Sequence, residues 1–561
     1  MSRFEPGFLD RPRLLQGPWR AFERDVARLL IANGFEDVRL VGGTGDHGGD
    51  VLGSKAGDLW VFQCKHTTKH EPTKDAVREV VEAARFYGAS RMVVAVSRFP
   101  SASLSNEIKR YARQGLRVEV ATPEVLLGLM AASPEYAPSR KELHPYQREA
   151  ADLLREALLD TSRGQIVLAT GLGKTVVMAE VVADLFRDQL IEHDRVLILA
   201  HTRDLVEQLH RAFWHQLPKW VRTEHFAAGE EPKLWDGIIF ATVQTVSSRL
   251  DAVPPVGLLV VDEAHHIGAS TFQHVIDGIR PRMLAGATAT PWRGDGFDIE
   301  KTLGPPVVQY GIADGLRKGF LSEVDYRLCA DDIDWEFVQD LSQHKYSLSQ
   351  LNRRLIIPTR DEQAARIIRA TFDEERRRGG IVFCPSVVHA QAMAAMLRQY
   401  GFRAEALLGE SPPRERERTM SKFRAGEIDM VASVDLFNEG VDVPDVDIIV
   451  FMRSTHSRRI FVQQLGRGLR LSKRKDKVVV LDFVTDLRRI AEVIELDQAA
   501  GGGVERLGLG NHLIQFRDIS AGNFMREWML DQASLILREG DPSLELPQFE
   551  FPSPEPPGSV Q

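Results

Sequence analysis

Cysteine is scarce in this chain of 561 residues. The three cysteines, Cys64, Cys329 and Cys384, lie far apart and form no C-x-x-C pair. Neither a disulfide framework nor a local zinc knuckle is therefore indicated, and we expect a reducing intracellular setting, the cytoplasm. Residues 1–20 mix charges, proline and glycine without an apolar core, which argues against a signal peptide.

Long apolar runs and an excess of positive charge are also missing. No uncharged apolar run reaches the length of about 18 residues that a membrane span needs, so no span is expected. The 71 Lys and Arg residues are outnumbered by 79 Asp and Glu residues, which gives a net charge of −8. This balance excludes a uniformly basic nucleic-acid coat but leaves room for a local basic groove.

The composition is that of a globular protein, with 43% hydrophobic and 27% charged residues. This length predicts roughly three to four domains. In both of the larger units, buried β-branched runs alternate with helical patterns, which predicts α/β domains with parallel sheets. The predicted segments are a small α/β domain at 17–131, a linker at 132–142, an α/β unit at 143–325, a connector at 326–356, a second α/β unit at 357–495, an unassigned segment at 496–540 and a Pro- and Glu-rich disordered tail at 541–561.

A glycine-rich turn follows the strand-like run 166–168 and precedes a helical pattern. Its residues are Ala169, Thr170, Gly171, Leu172, Gly173, Lys174 and Thr175. Glycines let backbone N–H groups approach phosphate oxygens, and the start of the helix adds its dipole. Lys174 would reach the β- and γ-phosphates of ATP, and Thr175 would ligate Mg²⁺. Because Ala169 stands at the first glycine position, an ordinary strand-to-helix turn is the alternative.

A second buried strand, 258–261, ends at the pair Asp262 and Glu263. An Asp at this place can hold Mg²⁺, and the next Glu can polarise an attacking water as a general base. His265 and His266 are weaker candidates for metal ligands, because no cysteine or third histidine lies near them in sequence.

Two arginines in the second α/β unit, Arg467 and Arg470, stand in the run 463–470. Such arginines can stabilise the charge that develops at a transferred phosphate. For an isolated pair, a solvated basic helix end would be the more common interpretation.

In their order, these elements resemble the motifs of superfamily 2 helicases over about 143–484, in the DEAH-box branch of restriction motor subunits and excision-repair helicases. Leu172 departs from the usual polar residue. The resemblance implies two RecA-like domains with ATP between them, and elements at 200–203 and 241–245 that touch the nucleic-acid backbone. By resemblance, Gln147 reads the adenine of ATP, and residues 288–291 couple hydrolysis to domain movement. Gly440 and Asp442 would lie near the ribose of ATP. Arg467 and Arg470 would lie near its γ-phosphate.

Another cluster of polar residues lies near the N-terminus. A hairpin around 55–58 would bring Asp50 alongside Gln63, and in a strand Gln63 and Lys65 share one face. A carboxylate, an amide carbonyl and a lysine would then converge. This set suits phosphodiester hydrolysis in which the carboxylate holds Mg²⁺ and the lysine helps to activate water. Taken alone, Q-x-K would more often be a solvated strand face.

The wider pattern resembles the Mrr-like branch of the PD-(D/E)xK nucleases over about 18–130. It consists of Phe22 and Glu23 on the first helix, then Gly-Asp-x-Gly-Gly-Asp ending at Asp50, then Gln-Cys-Lys ending at Lys65. In that branch a Gln replaces the second acid. The resemblance implies that the active residues are Glu23, Asp50, Gln63 and Lys65.

Together the two resemblances predict an ATP-driven DNA helicase or translocase fused to a Mg²⁺-dependent DNA endonuclease in prokaryotic restriction or anti-phage defence. Its partner would be double- or single-stranded DNA, and residues 496–540 could dock a partner subunit or a second copy. A DNA-repair helicase-nuclease is one alternative. Another is a helicase whose N-terminal domain binds DNA without cutting it. The fused nuclease-like domain argues against an RNA helicase.

Overall fold

The structure is a computed structural model of the chain. It describes residues 7–42, 48–67, 72–227, 229–289, 298–329, 361–409, 411–434, 446–452 and 477–483, with short stretches at 332–333, 345–346, 356–357, 469, 475, 507–508, 514–515 and 544–545. Two compact units are present, one containing residues 1–311 and the other most of the remaining chain.

The N-terminal part of the first unit is a five-stranded sheet with helices packed on it, which we call the nuclease-like domain. Its strands lie in sequence order, as Glu36–Leu40, Val51–Lys55, Asp58–Lys65, Arg91–Val96 and Val118–Ala121. The first three strands pair antiparallel and the last three pair parallel. Its helices are Arg11–Gln16, Trp19–Ala32, Asp75–Tyr87, Ala102–Arg113 and Pro123–Ala132.

Local sequence explains the two elements that position the candidate nuclease residues. The predicted hairpin is present, because Ala56 and Gly57 both adopt positive φ, 54° and 85°, as a tight two-residue hairpin turn requires. The helix Trp19–Ala32, called here the Glu23 helix, ends at Asn33, and Gly34 at φ 77° turns the chain. Both features match the sequence prediction.

The rest of the first unit contains a seven-stranded, all-parallel sheet, the first motor sheet. From edge to edge its strands are Pro306–Tyr310, Arg163–Leu168, Met283–Thr288, Leu258–Asp262, Arg195–Ala200, Gly237–Thr242 and Thr223–Phe226. Nearly continuous apolar runs form the central strands because helices cover both faces of such a sheet. The helices are Pro145–Asp160, Lys174–Arg187, Arg203–Trp214, Val243–Ser248, Ser270–Ile279 and Glu300–Leu303, with 3-10 turns at Glu192–Asp194, Leu250–Ala252 and Ala264–His266.

The second unit contains another parallel sheet, the second motor sheet. Its strands are, in order, Ala404–Leu407, Met430–Ser433, Gly380–Phe383, Ile448–Phe451, Lys477–Asp482, Glu323–Cys329 and Leu507–Gly508, with Ile514–Gln515 also beside Glu323–Cys329. The helices are Ile312–Arg317, Asp361–Glu374, Val387–Gln399 and Pro413–Arg424. Short antiparallel pairs join Asp332–Ile333 to Ile356–Ile357 and Lys345–Tyr346 to Leu544–Glu545. The domain boundary predicted at residue 325 lies inside the strand Glu323–Cys329, which pairs with the second motor sheet.

The predicted linker at 132–142 is held against the first motor sheet's domain rather than left free. Lys219 donates from its side chain to the Ser133 carbonyl at 2.7 Å and from its backbone to the Glu135 carbonyl at 2.7 Å. The nuclease-like domain and the first motor sheet therefore belong to one compact unit. Among the residues that the structure describes, no helix is both long enough and apolar enough to cross a membrane.

Two histidines buried in the first unit should make its stability depend on pH. Burial lowers the pKa of His210 and of His225 well below 6.5, and the positive charge of Arg24 acts in the same direction on both. The unfolded chain therefore binds protons below about pH 6.5 that the folded chain does not. The free energy of unfolding should fall as the pH drops, by up to about 1.4 kcal/mol per pH unit for each histidine.

Denaturant unfolding between pH 8 and pH 5.5 measures this slope. His225→Gln should flatten it, whereas the same substitution at the exposed His193 should leave it unchanged. An equal slope in wild type and His225→Gln would contradict the prediction.

Candidate active sites

The glycine-rich turn takes a shape that only glycine tolerates at two positions. The buried strand Arg163–Leu168 ends before it, and the helix Lys174–Arg187 begins directly after Gly173. Gly171 and Gly173 have φ values of 95° and 83°. A Cβ on Gly173 would lie 2.4 Å from Gln147 Nε2. The turn, residues 169–173, thus leads into a helix whose first turn contains Lys174 and Thr175, an arrangement suited to phosphates. We call it the phosphate turn after this predicted role.

The predicted adenine-reading residue, Gln147, supports this turn directly. Its Nε2 donates to the Leu172 carbonyl at 2.9 Å, and the Tyr146 hydroxyl donates to the same carbonyl at 3.2 Å. Gln147 Oε1 accepts from the backbone N–H of His144 at 3.0 Å. In this structure Gln147 therefore connects the start of its own helix to the phosphate turn that contains Thr170, Gly171 and Leu172.

The acidic pair Asp262 and Glu263, at the end of the strand Leu258–Asp262, faces the same turn. Lys174 Nζ forms an ion pair with Glu263 Oε1. Burial alone would raise the pKa of Glu263, but Lys174 and His265 more than offset it and hold that pKa well below its usual range. Burial raises the pKa of Asp262 despite the opposing charge of Lys174. Glu263 is therefore the charged partner of Lys174, and the half-buried Asp262 carboxyl is suited to a cation.

The backbone and neighbours of Glu263 fix its position. Glu263 has φ 51° and ψ 53°, a left-handed conformation that costs a non-glycine residue free energy and is common at functional sites. His265 Nδ1 lies 3.2 Å from Glu263 Oε2 and 3.0 Å from the hydroxyl of the fully buried Thr288. Thr288 ends its strand and begins the predicted coupling element, so the candidate base contacts that element through one histidine.

In the nuclease-like domain, the predicted hairpin brings Asp50 and Gln63 into contact. Asp50 Oδ2 accepts from Gln63 Nε2 at 2.7 Å and from the backbone N–H of Cys64 at 2.6 Å. Gln63 Oε1 accepts from the backbone N–H of Gly49. The amide carbonyl of Gln63 is thus directed to Gly49 and not toward the carboxylate, which differs from the predicted convergence of that carbonyl with Asp50.

Glu23 and Asp50 each place a carboxylate oxygen next to Gly42. A Cβ on Gly42 would lie 3.0 Å from Asp50 Oδ1 and 3.3 Å from Glu23 Oε2, so both oxygens border the space left by that glycine. Burial raises the pKa of Glu23, and the charge of Asp50 raises it further. Burial also raises the pKa of Asp50. Two buried carboxylates, of which Asp50 opposes the ionisation of Glu23, fit a divalent cation, which would neutralise both.

Lys65 has a partner that the sequence did not reveal. Its Nζ forms an ion pair with Glu79 Oε2 at 2.6 Å, and Glu79 belongs to the helix Asp75–Tyr87. The backbone of Glu79 also packs directly against Gly48. A Cβ on Gly48 would lie 2.3 Å from the Glu79 carbonyl oxygen. One Glu within an amphipathic helix gives no sequence signal. Only the packing of that helix on the sheet brings Glu79 to Lys65.

The four site residues predicted in the second motor domain cannot be placed. Gly440, Asp442, Arg467 and Arg470 lie outside the described residues, as do residues 290 and 291 of the coupling element.

Three family models match successive parts of the chain. A model described as a restriction endonuclease matches residues 14–130. One described as the res subunit of type III restriction enzymes matches residues 140–293. One described as the conserved C-terminal domain of helicases matches residues 362–472. Their order is the predicted order of the nuclease-like and two motor domains.

Two whole proteins are similar to about three fifths of this chain. IRC3 of Saccharomyces cerevisiae, named as a candidate ATP-dependent helicase, is 26% identical over 356 residues, which are 61% of this chain and 51% of that protein. The DNA 3'-5' translocase XPB2 of Sulfurisphaera tokodaii is 27% identical over 381 residues, 61% of this chain and 82% of that protein. The chain thus spans about half the length of the yeast relative.

Among solved structures, the ATP-dependent Type ISP restriction-modification enzyme LlaBIII bound to DNA aligns with 91% of this chain and 41% of its own. The TM-score is 0.53 and the identity is 16%, a likeness that shows the fold.

The fold is that of an α/β protein with a restriction-endonuclease-like domain followed by RecA-like parallel-sheet domains. The chain therefore combines a segment that matches restriction endonucleases with two segments that match the res subunit of type III restriction enzymes and the C-terminal domain of helicases.

Proposed function

We propose that the chain is an ATP-dependent DNA translocase whose N-terminal domain cuts DNA with Mg²⁺, acting in restriction of foreign or modified DNA. The observation that carries this proposal is that one compact unit contains both a phosphate turn paired to an acidic base and a buried pair of opposed carboxylates. The descriptions of two of the matching family models as restriction enzymes support the restriction role. We place this activity in the cytoplasm, with residues 496–540 as the proposed docking segment for a subunit.

In the proposed motor, each residue near the phosphate turn has a distinct task. Backbone N–H groups of the turn and Lys174 bind the phosphates of ATP, and Thr175 with Asp262 would hold Mg²⁺. Mg²⁺ would neutralise charge on the transferred phosphate when bound. Before ATP binds, Lys174 is paired with Glu263. When ATP binds, the Lys174 ammonium would leave Glu263 and pair with the phosphates instead. Glu263 would then be able to accept a proton from the attacking water.

Glu263→Gln tests this assignment. The variant should bind ATP, because Lys174, Thr175 and Asp262 remain, and it should hydrolyse ATP about 10² to 10⁴ times more slowly, because the amide cannot accept the proton. Steady-state hydrolysis and binding of a fluorescent nucleotide measure the two effects. Glu156→Gln, on an exposed helix face, is the control and should match wild type. Loss of nucleotide binding in Glu263→Gln would contradict the role given to Glu263.

In the proposed nuclease, Asp50 Oδ1 and Glu23 Oε2 would hold Mg²⁺ in the space beside Gly42. The cation, when bound, would supply charge to stabilise the developing phosphorane and lower the pKa of water. Lys65 lies at the end of the same strand as Gln63, with Glu79 as its counter-ion. Its ammonium would orient the attacking water and offset charge on the scissile phosphate.

A helicase whose nuclease-like domain binds DNA without cutting is the second candidate. The observation that favours it is the orientation of Gln63, whose carbonyl oxygen accepts from the backbone N–H of Gly49 while its amide nitrogen, which cannot bind a metal, faces Asp50. Cleavage that depends on Asp50 would exclude this candidate.

DNA binding should weaken steeply with salt despite the net charge of −8. Each neutralised phosphate contributes a slope of about −0.9 in log affinity against log salt on duplex DNA, or about −0.7 on a single strand. Arg203 is the first residue of the helix Arg203–Trp214, which follows the strand Arg195–Ala200. We propose that it contacts a phosphate of the DNA backbone. Arg203→Gln should reduce the slope by about one such unit. Fluorescence anisotropy over a salt series measures it.

Arg282→Gln is the matched control, because Arg282 is an exposed arginine at the opposite, amino-terminal edge of the same sheet. Its slope should equal that of wild type. A flat salt profile for the wild-type protein would argue that DNA is not the track of the motor.

A further inference from the structure

The Glu23 helix buries charged residues on more than one side. Residues Ala21 to Ala32 of this helix are all buried, and among them are Glu23, Arg24, Asp25 and Arg28. A charged side chain is costly to remove from water unless it is paired. Glu23 borders the proposed metal space, and the other three find their partners elsewhere.

Arg24, the residue directly after Glu23, pairs with the motor part of the unit. Its Nη2 donates to Glu230 Oε2 at 2.6 Å and its Nη1 to Glu230 Oε1 at 3.4 Å. Their side chains are only 10% and 13% exposed. Such a two-pronged arginine–carboxylate contact fixes both distance and orientation. Glu230 follows the edge strand Thr223–Phe226 of the first motor sheet.

Two more contacts hold the same helix to the same motor segment, 218–230. Arg13 bridges Asp25 and Glu224, with Nε 2.6 Å from Asp25 Oδ2 and Nη1 2.7 Å from Glu224 Oε1. Arg28 donates to the backbone carbonyls of Val221 at 2.7 Å and Pro218 at 3.2 Å. The helix is thus fixed by the motor segment at its positions 24, 25 and 28.

We infer that Arg24 and Glu230 are positioning residues for the nuclease site, through which motor segment 218–230 sets the place of Glu23 opposite Asp50. This inference rests on the proposed nuclease function. Glu23 and Arg24 are consecutive residues of one rigid helix, so a displacement at Arg24 moves the carboxylate of Glu23 with it. Metal ligands need their supporting contacts, and loss of such a contact typically costs about 10- to 100-fold in metal affinity or activity.

A charge exchange in the full-length protein tests the inference. Arg24→Glu and Glu230→Arg each place like charges together, and each should weaken Mg²⁺ binding and raise the Mg²⁺ concentration for half-maximal cleavage by about 10- to 100-fold. The double exchange restores an opposite pair at positions 24 and 230 and should recover part of the loss, because Arg20, whose Nη1 lies 3.4 Å from Glu230 Oε1, would still face a like charge. Calorimetric titration with Mg²⁺ in the absence of nucleotide measures binding independently of cleavage. The heat measured for the Asp50→Asn protein is subtracted, so that only Mg²⁺ binding that depends on Asp50 is counted.

Arg155 and Asp188 provide the matched control. They form a 2.8 Å ion pair on the motor surface, each 35% exposed, and Arg155→Glu or Asp188→Arg should leave Mg²⁺ affinity and cleavage unchanged. DNA-stimulated ATP hydrolysis should remain near wild type in all Arg24 and Glu230 variants, since neither residue contacts the phosphate turn.

Glu230→Gln keeps the test decisive if a charge reversal does not fold. The amide preserves the shape and one acceptor, and the variant should still show weaker Mg²⁺ binding. Wild-type Mg²⁺ affinity in Glu230→Gln, or failure of the double exchange to recover affinity where both single variants fold, overturns the inference. Asp50-dependent Mg²⁺ binding without any DNA cleavage would instead overturn the proposed nuclease function while leaving the positioning role measurable.

Discussion

Asp50→Asn should reduce Mg²⁺-dependent DNA cleavage by at least about 100-fold and leave ATP hydrolysis near wild type. Asparagine keeps an oxygen that can accept from Gln63 and from the backbone N–H of Cys64, as the Asp50 carboxylate does. It removes the negative charge that a divalent cation requires beside Glu23. Nicking of supercoiled plasmid DNA at several Mg²⁺ concentrations measures the loss.

Asp58→Asn is the control for this experiment. Asp58 lies on the same hairpin, where it pairs with Arg91 at the surface, and its substitution should not affect cleavage. Because Asp50→Asn preserves the packing of the nuclease-like domain, we expect an unchanged thermal unfolding midpoint for the ATPase-containing unit. Undiminished cutting by a folded Asp50→Asn protein would exclude the proposed nuclease site.

Lys174→Ala should reduce DNA-stimulated ATP hydrolysis by at least about 100-fold, a typical cost of removing one charged contact to a developing transition state. The substitution also removes the Lys174 ammonium from its ion pair with Glu263, so the repulsion between Glu263 and Asp262 would lose the compensating charge of Lys174. Nucleotide binding should weaken together with hydrolysis, which separates this variant from Glu263→Gln. Nicking in Mg²⁺ without ATP should persist.

Lys301→Ala, at an exposed position in the helix Glu300–Leu303, is the matched control and should hydrolyse ATP at the wild-type rate. Circular dichroism would establish that both variants fold. Wild-type turnover in Lys174→Ala would remove the basis for assigning the phosphate turn.

The central strands could be predicted from sequence because they are short continuous apolar runs, and the helix Asp75–Tyr87 because its apolar residues follow the helical period. The edge strand Thr223–Phe226 could not. Its sequence, Thr-Glu-His-Phe, has a polar majority, yet all four residues are buried. Glu224 is buried because it pairs with Arg13 of the nuclease-like domain. A contact between residues more than two hundred positions apart leaves no local pattern.

Some residues of the candidate sites could likewise be predicted from the sequence, and others could not. Lys174, Asp262 and Glu263 stand at the ends of buried parallel strands or directly after the glycine turn, where the topology alone brings them together. The orientation of Gln63 was not predictable, because an amide can present either its oxygen or its nitrogen and the surrounding donors decide. Here the backbone N–H of Gly49 donates a hydrogen bond to Gln63 Oε1 and so fixes the orientation of the amide. Glu79 and Glu230 were also missed, since only tertiary packing brings them to Lys65 and Arg24.

The most direct test of the whole account measures ATP hydrolysis and DNA cleavage together, in one reaction, for wild type, Lys174→Ala and Asp50→Asn. We expect wild type to show both activities, Lys174→Ala to nick DNA without hydrolysing ATP, and Asp50→Asn to hydrolyse ATP in response to DNA without cutting. Wild-type protein that hydrolyses ATP without responding to DNA, or cleavage that persists in Asp50→Asn, would contradict the assignment of a DNA motor and a DNA nuclease to this chain.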